Sequence, residues 1–125
     1  MSGYKFIFDG DELELRLTVD VATRYEVETG TPFTDYTIYA LGFNGLTRLL
    51  RLCIHDARKA ANKSQTEPAH VAVCEAVQDH IAKRCETDDI QGDKAFWRVV
   101  NEFIKTSILM YNPKAGEEEK ENPTE

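Results

Sequence analysis

Tyr4-Lys5-Phe6-Ile7-Phe8-Asp9-Gly10-Asp11-Glu12-Leu13-Glu14-Leu15 is the stretch that decides how this chain folds. Asp-Gly is a favoured central pair for a two-residue hairpin loop, because a type I′ turn needs positive φ at both positions. With Asp9-Gly10 as the loop, Phe8 faces Asp11, Ile7 faces Glu12, Phe6 faces Leu13, Lys5 faces Glu14 and Tyr4 faces Leu15. That register gathers Tyr4, Phe6, Leu13 and Leu15 on one face, which Leu17 and Val19 continue, and sets Lys5 across from Glu14 on the other. A slip of one residue loses both matches. Two strands alone are barely stable in water, so the apolar face has to rest on helices.

The rest of the chain supplies them. Asp20 reads as an N-cap and Gly30 as the residue past a C-terminus, enclosing a short helix from Val21 to Thr29. Thr31-Pro32 breaks the chain. The aromatic-rich stretch Phe33 to Phe43 reads either as a short helix from Asp35 or as a loop. Asn44 then caps a helix in which Leu46, Leu49, Leu50, Cys53, Ile54 and Ala57 recur at helical spacing, the cleanest amphipathic pattern present. Another helix starts at Thr66 with Pro68 in its first turn and carries Ala69, Val73, Ala76, Val77, His80 and Ile81 on one face. Asp93 caps a last helix, Lys94 to Tyr111, whose Phe96, Trp97, Val99, Val100, Phe103, Ile104, Ile108, Leu109 and Met110 cover most of its circumference. Asn112-Pro113 ends it. The fold class is therefore mainly α with a short N-terminal β-hairpin (α+β): four or five helices packed on the hairpin. Residues 1–112 form one domain, and 113–125, with almost nothing apolar, are expected to be a disordered acidic tail.

Composition narrows the function. With 125 residues, 42% apolar and 30% charged, a single globular domain is the default. No apolar run approaches the ~20 residues of a membrane helix, and the N-terminus does not read as a signal peptide. Three cysteines, Cys53, Cys74 and Cys85, are an odd number and suit free thiols in a reducing compartment. A net charge of −7 disfavours nucleic acid and anionic membrane as partners. The charge is uneven: Arg48, Arg51, Arg58, Lys59 and Lys63 oppose only Asp56 between 43 and 64, inside an acidic frame.

The search for chemistry returns little. His70 and Cys74 stand one helical turn apart, but neither Cys53 and His55 nor His80 and Cys85 complete a zinc set at good spacing, so no metal is expected. The same residues carry no signature of a cysteine nucleophile. No glycine spacing makes a phosphate loop. Asp88-Asp89 and the Asp9/Asp11 pair are explained by turns and caps. Arg48, Arg51 and Arg58 lie opposite an apolar stripe, as in a DNA-reading helix, yet the acidic remainder would repel a duplex. The chain reads as a protein without cofactor or catalytic site.

One pattern spans the first half. The hairpin is followed by a helix with Asp20, Glu26 and Gly30 at fixed positions, ending Tyr25-Glu26-Val27-Glu28-Thr29-Gly30. Then comes Gly42-Phe43-Asn44-Gly45-Leu46-Thr47-Arg48-Leu49-Leu50-Arg51, whose leucines continue to Cys53 or Ile54. This order resembles the tail assembly chaperones of long-tailed (siphovirus-type) bacteriophages. Residues after Ser64 carry no matching motif. The resemblance implies a protein of the host cytoplasm that binds the tape measure protein and prevents its aggregation. It further implies a frameshifted longer form that recruits tail tube protein. The alternative is another small phage or bacterial protein-binding adaptor, inhibitor, or structural tail or connector component.

The resemblance gives no contact residues, but the sequence has apolar side chains to spare. Phe33, Tyr36, Tyr39 and Phe43, with Trp97, Ile104 and Ile108 on the last helix, exceed what one core needs. Part of this set is expected to form an exposed patch for self-association or client binding, since aromatics anchor interfaces. Arg48 and Arg51, with Arg58, are expected to add attraction to acidic partners.

Overall fold

In a computed structural model, which describes residues 3–34, 37 and 40–111, with backbone alone for 107–111, the described residues form a two-stranded antiparallel hairpin and four long helices. The elements are β1 (Tyr4–Phe8), β2 (Asp11–Leu15), α1 (Val19–Thr29), α2 (Phe43–Ala60), α3 (His70–Asp88) and α4 (Gly92–Tyr111). The segment around Asp35, the Asn112-Pro113 stop and the acidic tail lie outside the described residues.

The hairpin has the register its turn dictates: Tyr4 pairs with Leu15, Lys5 with Glu14, Phe6 with Leu13, Ile7 with Glu12 and Phe8 with Asp11. Asp9 and Gly10 have φ of 54° and 82°, the left-handed pair of a type I′ turn. Tyr4, Phe6, Phe8, Leu13, Leu15 and Leu17 are buried, whereas Val19 is exposed. Strand alternation ends at Leu15, and by Val19 the chain is already helical, so the two-residue period no longer governs that side chain. Gly3 makes a close approach that no pattern announced: a Cβ there would lie 2.2 Å from the Leu15 carbonyl oxygen.

The apolar face of the hairpin rests on helices. β2 lies on α2, β1 lies on α3 and α4, and α1 packs against α2 and α4. The α2 stripe of Leu46, Leu49, Leu50, Cys53 and Ile54 is buried, with Val73, Val77 and Ile81 from α3 and Phe96, Val99, Val100 and Phe103 from α4. Burying each of the larger side chains contributes roughly 1.5–3 kcal/mol, which offsets the cost of ordering the chain.

Helix starts differ from the sequence reading. Thr18, not Asp20, caps α1: its hydroxyl accepts from the Val21 N–H at 3.1 Å, and Asp20 sits in the first turn beside Arg24. α2 begins one residue before Asn44, with Gly42 extended at its cap. α3 begins at His70 rather than Thr66. Pro68 is buried ahead of the helix, and Ala69 is extended at the cap. Asp93 lies inside the first turn of α4, where a carboxylate still faces the positive helix end. Gly30 closes α1 as expected, at φ 71°, its N–H donating to the Glu26 carbonyl at 2.7 Å.

One polar link crosses the core. The Tyr4 hydroxyl stands 2.6 Å from His80 Nε2, tying β1 to α3, and the imidazole also lies 4.9 Å from the Phe6 ring. Burial, helped by the positive Arg84, holds His80 below its ordinary pKa. Burial and the nearby Glu102 push the Tyr4 hydroxyl up to about 12. Around this link Arg84 donates to Glu102 at 2.6 and 2.9 Å and to Asp88 at 2.9 Å, and Arg98 reaches Asp88 at 3.0 Å, joining α3 to α4.

Candidate functional site

The start of α2 places a large ring at the surface. Gly42 is extended, Phe43 is the first helical residue, and its carbonyl accepts from the Thr47 hydroxyl at 2.8 Å. Phe43 is 54% exposed while its ring lies 4.4 Å from that of Phe96, which is buried. On the next residue of α4, Trp97 is 44% exposed and meets the Phe96 ring edge-on at 5.8 Å. Two exposed aromatics thus share one buried ring as their base. Phe43 also lines a groove of about 350 Å³ with Asn44, Thr47, His70, Cys74, Val77 and Gln78, between α2 and α3. A space of that size is large enough for one or two side chains of a partner.

The remaining members of the aromatic set fall elsewhere. Phe33 is buried, edge-on to Tyr25 at 5.6 Å, and its N–H donates to the Glu26 carboxylate at 2.7 Å, so it belongs to the core and not to a patch. The Glu26 carboxylate on the preceding helix helps to hold the backbone there. Tyr36 and Tyr39 lie outside the described residues, as does the side chain of Ile108. Ile104 is half-buried against the core.

The basic helix face is not an open positive strip. Glu28 of α1 accepts from Arg48 at 3.2 Å and from Arg51 at 2.7 Å; Arg51 also donates to Glu67 at 2.6 Å, and Arg24 donates to Glu67 at 3.1 Å. The hydrogen bond from Arg51 holds the Glu67 carboxyl below the usual range. Arg58 lies 5.4 Å over the Phe8 ring. Arg24, Arg48 and Arg51 clamp α1, α2 and the connector before α3, so Glu28 and Glu67 neutralise Arg48 and Arg51 in space. Sequence reasoning treated the face as available because it could not see that Glu28 and Glu67 return to it.

The cysteines and histidines do not assemble. Cys53 is buried among apolar residues, which raises its thiol pKa and leaves it unreactive. Cys74 and Cys85 are half-buried. His70 and Cys74 both line the Phe43 groove, His80 is bound to Tyr4, and the buried His55 has an Nδ1 without a hydrogen-bond partner among the described residues. Among the described residues no three His, Cys, Asp or Glu side chains converge as a metal cage would require. No helix of the described residues is long and apolar enough to cross a membrane. No protein-family model matches the chain, and neither a curated protein nor a solved structure is significantly similar to it.

Proposed function

We propose that this chain is a tail assembly chaperone of a long-tailed bacteriophage, acting in the host cytoplasm without catalysis. In this reading it holds apolar segments of the tape measure protein until they are packed. The observation that carries the reading is the pair Phe43 and Trp97, exposed on the buried Phe96 beside a small groove. Large aromatics fixed at the surface lose little entropy on binding and supply most of an interface's energy. The identity of the client rests on the sequence pattern of the first half, the hairpin followed by Asp20, Glu26, Gly30 and the α2 leucines.

The test is co-expression with the longest tail protein encoded nearby, followed by co-purification. Retention of that client in solution, lost on Phe43→Ser and Trp97→Ser with the melting temperature kept, supports the reading. Client that aggregates equally with and without this chain overturns it.

A further inference from the structure

We propose that the free edge of β1, with a row of carboxylates on α3 beside it, docks an extended basic segment of a partner protein, which adds as a third, antiparallel strand. The surface lies on the other flank of α3 from the Phe43 groove, so the proposal does not rest on client binding there. In a two-residue hairpin the residues flanking the loop exchange backbone hydrogen bonds, and every second residue repeats this. Phe8, Phe6 and Tyr4 therefore spend their backbone groups on β2, while those of Lys5 and Ile7 point to the other edge, where no described strand pairs with them. Ile7 is 57% exposed beside it. The His80 ring of α3 lies against Phe6, and the neighbouring flank of α3 forms a groove with the strand edge. This groove, of about 540 Å³, is lined by Ile7, Asp9, Ala76, Asp79, Lys83 and Glu86. An adjoining hollow of about 460 Å³ shares Asp9, Ala76 and Asp79 and adds Ala72 and Glu75. The small side chains of Ala72 and Ala76 leave room for a strand beside β1.

Charge selects the occupant. At about 100° per residue, Glu75, Asp79 and Glu86 fall in one row along α3, roughly 16 Å long, which is the length of a five-residue strand. These carboxylates and Asp9 make no ion pair among the described residues, unlike Glu28, Glu67 and Glu102, which arginines hold. The cations lining the two hollows are Lys83 and Arg58, and Arg58 lies over the Phe8 ring. A strand added to β1 turns every second side chain to the face of Phe6 and Phe8, toward α3, and the others to the face of Ile7. Lysine or arginine fits the first set and apolar residues fit the second. A second copy's β1 is already seated on its own helices, and residues 113–125 of this chain, with five glutamates against two lysines, are repelled. The occupant is therefore an extended segment of another protein, basic at every second residue.

The experiment is titration of the full chain with a capped peptide that alternates lysine and valine, read by calorimetry and by hydrogen exchange at the Lys5 and Ile7 amides. The proposal expects binding that protects both amides and weakens with salt. In the antiparallel pairing the valine amides face β1 and the lysine amides face away, so N-methylation of the valines abolishes binding and N-methylation of the lysines keeps it. A peptide of the same composition with its lysines and valines in two blocks binds about tenfold more weakly. Asp79→Lys combined with Glu86→Lys, both exposed, weakens binding by about tenfold, whereas Glu12→Lys combined with Glu14→Lys, the same charge change on the opposite edge, leaves it within about twofold. Each variant is melted in parallel; if the α3 double variant unfolds, the methylated peptides and the wild-type amides decide. No binding, equal binding of the two methylated peptides or of the blocked one, or a folded α3 double variant that binds as tightly as the wild type overturns it.

Discussion

Replacing Gly10 isolates the torsional demand of the hairpin turn. Gly10 has φ 82° and a Cβ built there meets no atom within 4 Å, so a side chain is penalised by backbone conformation and not by a clash. An L-residue in the left-handed region costs roughly 1–2 kcal/mol, and a β-branched one stands at the upper end. Domains of 60–100 residues lose about 4–8 °C of Tm per kcal/mol, so Gly10→Val should lower Tm by roughly 5–15 °C. Asn tolerates this region, so Gly10→Asn should cost only a few tenths of a kcal/mol, with Gly10→Ala between the two. Circular-dichroism melts of the series, with hydrogen exchange at Phe6 and Leu13, give the ranking. Asn as damaging as Val, or Val without effect, would refute the turn as the element that sets the register.

Gly3→Ala should also lower Tm, by overpacking worth about 1–3 kcal/mol, because its Cβ would lie 2.2 Å from the Leu15 oxygen; an unchanged melt would show that the N-terminus does not lie there. Because folded His80 resists the proton that the unfolded ring takes up near its ordinary pKa of 6.5, the unfolded state binds more protons in that window and stability falls with pH. Melts between pH ~7 and ~5 should therefore show a decline that His80→Gln flattens, and an equal slope in both proteins would contradict the Tyr4–His80 link. Further acid loss begins as the pH falls through the ordinary carboxylate range, where the unfolded chain takes up protons, and continues below it until Glu67, Asp88 and Glu102 are protonated out of their arginine contacts. A thiol reagent should modify Cys74 and Cys85 in the native protein and Cys53 only at the rate of unfolding; fast labelling of all three would mean that the core is open.

Local rules carried the sequence reading furthest. The Asp9-Gly10 pair fixes its own strand partners within twelve residues, and the α2 stripe states its buried face by spacing alone. Gly30 behaves as a helix terminator because its left-handed backbone is a local property. Helix starts were harder, since Thr18 and Asp20 are both residue types that cap helices and stand only two positions apart. What sequence could not supply was long-range pairing. Glu28 and Glu67 reach Arg48 and Arg51 from separate elements, Tyr4 meets His80 across 76 residues, and Gly3 matters only because Leu15 passes beside it. Of the aromatic set, Phe43 and Trp97 are exposed and Phe33 is core, a division that depends on where Tyr25 and Phe96 lie.

The central claim is that Phe43 and Trp97 hold a client. The direct measurement is the affinity of the full chain for the proposed client, a tape measure protein, made with wild type, Phe43→Ser, Trp97→Ser and the double variant, each with its own melt. Both side chains are about half exposed, so the variants should keep a cooperative transition near the wild-type Tm. Hot-spot aromatics typically contribute about 2 kcal/mol or more, so each single change should weaken binding by roughly thirtyfold. Folded variants that bind the client as tightly as the wild type would contradict the account.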